Sequence, residues 1–139
     1  MATEAPLISI GSQCTAAADL SGTTTTLAGP NGSGQYLAVK ITASRSVNLA
    51  NAGGEAVIGI LQNTPALGQA AEIGFVGCSK AVAGAAIAAG AELMTDTSAR
   101  LITATSTNHR VALALESASA AGQLISVVLG GAIFNREST

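Results

Sequence analysis

The chain has 139 residues, a length that suits one domain, with 48% hydrophobic residues but only 2% aromatic ones and no tryptophan. Charged residues make up 10% and the formal net charge is −2, so the scattered Lys and Arg side chains form no patch of the kind nucleic acid requires. Cys14 and Cys78 are too few for a disulfide framework, and the longest strongly apolar stretch, Ala81 to Ala91, is shorter than the roughly 20 residues of a membrane helix.

The aromatic residues are Tyr36, Phe75 and Phe134 alone. The core must therefore be built from Ala, Val, Ile and Leu. Alanine buries little area, so burial against another subunit or a larger partner is a natural supplement. A surface this poor in charge is prone to association, and we read it as a surface meant to be covered. Nothing at Met1 to Ala5 resembles a secretory signal, so cytosolic synthesis with reduced thiols is expected.

In chain order, Leu7 to Ile10 predicts one short strand. Small residues, threonines and the turn cluster Gly29 to Gly34 follow and read as loop. Such a segment buries little by itself. It reads either as a frayed tail or as an arm in which Leu7, Ile8 and Ile10 add as a strand to a partner's sheet edge. Tyr36 to Thr42 alternates apolar and polar residues, the mark of a half-buried strand. Val47 and Leu49 continue a partner strand, and Asn51 to Gly54 is a turn. Val57 to Leu61 is apolar on both faces and reads as a doubly covered strand. Asn63 to Gly68 is a loop. Glu72 to Val82 is a long strand, broken or bulged at Gly74 and Gly77.

Ser79 to Met94 is alanine-rich, which favours helix, but Gly84 and Gly90 oppose it at about 1 kcal/mol each. Its large apolar residues also miss the helical stripe. The stretch reads as a strand end, a turn at Ala88 to Gly90, and a new strand from Ala91. Thr95 to Ser98 is a turn and Arg100 to Ala104 a strand. Ser106 to His109 is a polar turn. Val111, Leu113 and Leu115 alternate with Ala112, Ala114 and Glu116. Ser117 to Gly122 is loop, and Leu124 to Leu129 reads as a central strand by its β-branched content. Many short strands between glycine-rich turns predict an all-β fold: a small single-domain β-barrel or sandwich with an extended N-terminal arm. The expected divisions are 1–35 arm and loop region, 36–131 domain, and 132–139 tail.

Val57 to Gly77 and Val111 to Gly131 look like copies. Each has an apolar run, a turn ending in Gly-Gln, and a second apolar run ending in Gly. The two Gly-Gln pairs lie about 54 positions apart, consistent with a duplicated strand–loop–strand unit.

Chemistry finds little support. His109 is the single histidine, it lies in a polar turn, and no G-x-S-x-G elbow is present. Cys14, Cys78 and His109 are isolated from one another, which excludes a zinc motif. Asp19, Glu55, Glu72, Glu92, Asp96 and Glu116 fall in no catalytic pattern. No Gly-Lys pair exists to start a phosphate loop. The expectation is no enzyme, no metal and no cofactor.

Gly59, Pro65, Gly68, Gly77, Gly90, Asp96, Ala114, Leu115, Glu116 and Gly122 carry a further signal. Their pattern resembles the tailed-phage capsid cement, or head decoration, family. The resemblance covers about the C-terminal 60% of the chain and not Met1 to Gln35. It departs from the family at Ala91, between Gly90 and Glu92, and at Ser98-Ala99, where a turn glycine is usual. The resemblance implies a non-enzymatic protein on the outer face of an expanded icosahedral head, made in the host cytoplasm. It would stabilise contacts between major capsid protein subunits as a homo-trimer or homo-dimer, without nucleic acid or membrane. Capsid-contact candidates are Leu7, Ile8 and Ile10; subunit-interface candidates are Val127, Leu129 and Phe134. The alternative is a carbohydrate-binding or adhesive module displayed on the virion, which needs exposed aromatics. A small barrel enzyme is a third reading, opposed by the scattered titratable groups.

Overall fold

The computed structural model describes residues 7–9, 13–105 and 107–130. It is an all-β single domain. Eleven strands follow in order: β1 Leu7–Ser9, β2 Cys14–Ala16, β3 Ala38–Ala43, β4 Ser46–Leu49, β5 Gly59–Leu61, β6 Ala70–Ala71, β7 Ile73–Val82, β8 Glu92–Thr95, β9 Leu101–Thr103, β10 Ala112–Ala114 and β11 Leu124–Gly130. They form one sheet in the order β6-β2-β4-β3-β5-β7-β11-β10-β8-β9, with β1 added to β7. Among the described residues the strand pairs are antiparallel except β2 with β4. The sheet is not closed into a barrel.

Two cores lie within it, and each half of the sheet wraps around one. Val39, Val47, Leu61 and Ile73 fill the first, with Cys14, Ala16, Leu20 and Ala71. Leu93, Leu101, Ile125, Val127 and Leu129 dominate the second. The long strand β7 serves both. Its pairing with β1 shifts register between Ile8–Val76 and Ser9–Gly74, a bulge at Phe75. Before the bulge Ile73 faces the first core; after it Ser79 and Ala81 face the second. One strand therefore changes cores by a single extra residue, where the sequence predicts a break or bulge.

The duplication suggested by the Gly-Gln pairs is a repeated hydrogen-bond scheme. In the first half, the Ala16 N–H donates to the Gln69 carbonyl and the Gly68 N–H to the Ala16 carbonyl, both at 2.9 Å. In the second, the Ala83 N–H donates to the Gln123 carbonyl (2.8 Å) and the Gly122 N–H to the Ala83 carbonyl (2.7 Å). Ala16 pairs in parallel with Val47, and Ala83 with Leu101. The β3–β4 register, Val39 to Leu49 and Ile41 to Val47, recurs in β8–β9 as Leu93 to Thr103 and Thr95 to Leu101. Even the left-handed turn residues correspond, Arg45 (φ 54°) and Ala99 (φ 66°).

Residues 13–35 differ from the arm and loop region expected for 1–35. β2 is internal to the sheet, between β6 and β4. Leu20 is 1% exposed in the first core. The turn cluster folds as a short 3-10 turn, Pro30–Gly32. The reason is pairing: the three residues Cys14 to Ala16 are too short a run to mark a strand alone, but here their backbone groups meet strands on both sides.

Candidate functional site

The surface that stands out is one face of the second half's sheet. Residues opposite each other in an antiparallel pair project to the same side. Leu7, Gly77, Leu129, Ala112 and Leu93 line up across β1, β7, β11, β10 and β8, and this row faces inward. The next row is Cys78, Val128, Leu113 and Glu92, and it faces outward. Ile8 and Val76 pair on that outward side, as do Lys80 and Ser126. Leu115 follows at the end of β10, its N–H donating to the Ser126 carbonyl at 3.0 Å.

The large apolar members of this outward side are open. Leu113 is 41% exposed, Leu115 50%, Val128 38% and Ile8 57%. A sheet with one solvated face ordinarily places polar residues there. Here Ala112 and Ala114 point into the core while Leu113 and Leu115, which alternate with them, point out. The sequence shows the alternation but not its direction. The inward side is crowded by β7 and by Ile60 and Leu37 from the first half, so alanine fits where leucine would not.

The same parity decides the subunit-interface candidates. Val127 and Leu129 are 0% and 2% exposed inside the chain's own core, so they do not present a surface. Val128, between them, does. Phe134 and Ile10 lie outside the described residues. Leu7 is half-buried against the second core, and Ile8 projects outward. β1 pairs here with β7 of its own chain rather than with a partner's edge. The strand was legible at Leu7 to Ser9; its place in the sheet was not.

Charges flank the apolar row. Arg110 Nε pairs with a Glu92 carboxylate oxygen at its β8 end. Lys80 Nζ lies 5.5 Å from the centre of the Tyr36 ring. A Glu116 oxygen accepts the Ser126 N–H at 2.9 Å, and the Ser126 bonds hold its carboxyl below the usual carboxylate range.

Nothing in the described residues assembles a reaction centre. His109 donates its backbone N–H to the Gly54 carbonyl (3.1 Å), and its ring Nδ1 lies 3.3 Å from the same oxygen. It thus joins two loops and faces no nucleophile. Among the described residues no three His, Cys, Asp or Glu side chains converge. No helix among them is long and apolar enough to cross a membrane. A groove of about 350 Å³ opens beside the first core. Leu27, Ala28, Asn48, Leu49, Ala50, Asn51, Thr97 and Ser98 line it, and none of them titrates. Tyr36 and Phe75 are both half-buried, so no open aromatic platform of the kind that stacks on sugars occurs among the described residues.

Residues 21–129 match the phage cement protein family. The match reaches from the loop after β2 into β11, further toward the N-terminus than the residue pattern of the second half alone extends. No curated protein matches the chain. Among solved structures, the chain is similar to the head fiber gp8.5 N base in bacteriophage phi29. The identity is 14%, the overlap covers 96% of this chain and 99% of that one, and the TM-score is 0.60, a likeness of fold.

Proposed function

This chain belongs to the phage cement protein family, and from that premise we propose that it binds the outer surface of an expanded icosahedral phage head. There it would tie neighbouring major capsid protein subunits together. The observation that carries this reading is the family match over residues 21–129, to which the outward apolar row on a chain with few charges adds a face built to be covered. Such a face is costly to leave in water and marks a contact surface. Its role is structural rather than catalytic, in keeping with the family and with the scattered titratable groups.

A capsid lattice offers the same small footprint many times. Modest contacts then add through multivalency, above all if the protein sits as a homo-trimer. We assign the capsid contact to the β1 region, where Ile8 is 57% exposed at the rim of the apolar row. Ile10 continues that stretch of sequence. The net charge of −2 suits a position away from packaged nucleic acid.

Co-sedimentation with expanded, undecorated heads tests the reading. Saturable binding to heads, with none to free coat subunits, is the expected result. Ile8→Asp, on an open side chain, should weaken head binding at least tenfold, about 1.4 kcal/mol, and leave the melting temperature within a few degrees. Absence of head binding by the unmodified chain overturns the cement reading. Unchanged binding by Ile8→Asp overturns the β1 contact alone.

A further inference from the structure

The two halves of the chain use equivalent faces differently. In the first half Ala38 and Ile60 pair across β3 and β5 on the side away from the first core. Both are 0% exposed, because that side packs into the second core. The repeated hydrogen bonds fix the matching positions in the second half. The Leu61 N–H donates to the Leu37 carbonyl (2.9 Å), as the Ala114 N–H does to the Ala91 carbonyl (2.9 Å). Ile60 therefore corresponds to Leu113, and Ala38 to Glu92. Leu113 is 41% exposed where Ile60 is sealed.

We propose that the outward face of β10 and β11, carrying Leu113, Leu115 and Val128, is the surface on which a second copy of this chain packs. This rests on the homo-oligomer proposed above and names its contact face. The fold unit already buries this face once, against its own duplicate within the chain. Among the described residues the second unit leaves Leu113, Leu115 and Val128 of the same face exposed, with Ile8 of β1 at its rim. Its rim holds both signs of charge, Lys80 on β7 and the Glu92–Arg110 pair at β8. A surface with mixed charge around an apolar centre meets a copy of the same chain without a net like-charge repulsion.

The test is sedimentation equilibrium of the full chain, as the unmodified protein and as Leu113→Lys, Val128→Lys and the double variant. Ile41→Lys is the control, because Ile41 is 50% exposed on the other half. The unmodified chain and Ile41→Lys should show a two- or threefold monomer mass, and the double variant a monomer with unchanged circular dichroism. If the double variant fails to fold, Cys78 in the unmodified chain supplies the second readout. It lies opposite Val128, so its reaction with a thiol reagent should slow as protein concentration rises. An oligomer untouched by the folded double variant, or Cys78 labelling independent of concentration in an oligomeric chain, overturns the face assignment and leaves the oligomer standing. A folded double variant that keeps its mass but loses head binding assigns the face to coat protein instead. A monomeric unmodified chain that still binds heads overturns the oligomer and this face together, and spares the cement reading.

Discussion

Asp19 organises the loop that follows β2. Its carboxylate accepts the Ser21 N–H at 3.0 Å, the Ser21 hydroxyl, and the Thr23 and Thr24 hydroxyls at 3.0 and 2.8 Å. These bonds, Ser21's foremost, hold the carboxyl well below the usual carboxylate range. Glu55 is a similar case. Burial alone would raise it, but the N–H groups of Asn51 and Ala52 (2.7 and 3.1 Å) and Lys40 Nζ (3.2 Å) outweigh burial and lower it. Groups depressed in the folded state bind protons more readily when unfolded. Their contribution is present above the unfolded values, near pH 4, and is lost as pH falls through the folded values. Thermal melts should therefore be level from pH 7 to about 5 and fall below about pH 4. Asp19→Asn should flatten the acid arm of that profile. Parallel profiles for the two proteins would remove Asp19 from the account. The acidic residues were legible in the sequence, but their partners were not, because hydroxyl donors two to five residues away depend on the loop's conformation.

At the scale of elements, the two Gly-Gln loops are one device used twice. Gly68 and Gly122 both adopt the left-handed conformation, φ 81° and 92°. A Cβ added at either would meet nothing within 4 Å, so the cost of alanine there is backbone strain alone. Each Gln side chain accepts an N–H from its own loop, Gln69 from Ala66 at 2.9 Å and Gln123 from Ser119 at 2.7 Å. Gly68→Ala and Gly122→Ala should each lower stability by about 1–2 kcal/mol in urea titrations. The double variant should lose the sum within about 0.5 kcal/mol, since the loops do not touch the same partner strand residue. A silent substitution at either glycine would break the equivalence. The loops were readable because turn glycines and the spacing between them are local signals. The strand β2 was not readable, because Cys14 to Ala16 becomes a strand through β4 and β6, far off in sequence.

Across the whole molecule, β7 joins two small cores into one body, and neither core contains a large aromatic cluster. Leu, Ile, Val and Ala supply the burial, which keeps the margin of stability thin for an isolated copy. Covering the outward row would add to that margin by mass action. On the cement reading, expanded heads should release DNA at a higher temperature after incubation with this chain than before. Dye-detected DNA release during a temperature ramp measures it. Equal release temperatures at saturating occupancy would mean that binding adds no strength to the shell.

The sequence by itself determined the all-β class, most strand positions, the turn glycines, the repeat and the family pattern. Each is a local or periodic property: β-branched alternation, Gly-Gln spacing, and the scarcity of charge. Only the tertiary structure decided which side of β10 and β11 is the core. Val111, Leu113 and Leu115 alternate with Ala112 and Ala114 in either orientation, and a period of two has two faces. The inward face was chosen by space: β7 and the first half's Ile60 leave room for alanine, and the leucines turn outward. That choice buried Val127 and Leu129 and brought Val128 and Leu113 to the surface.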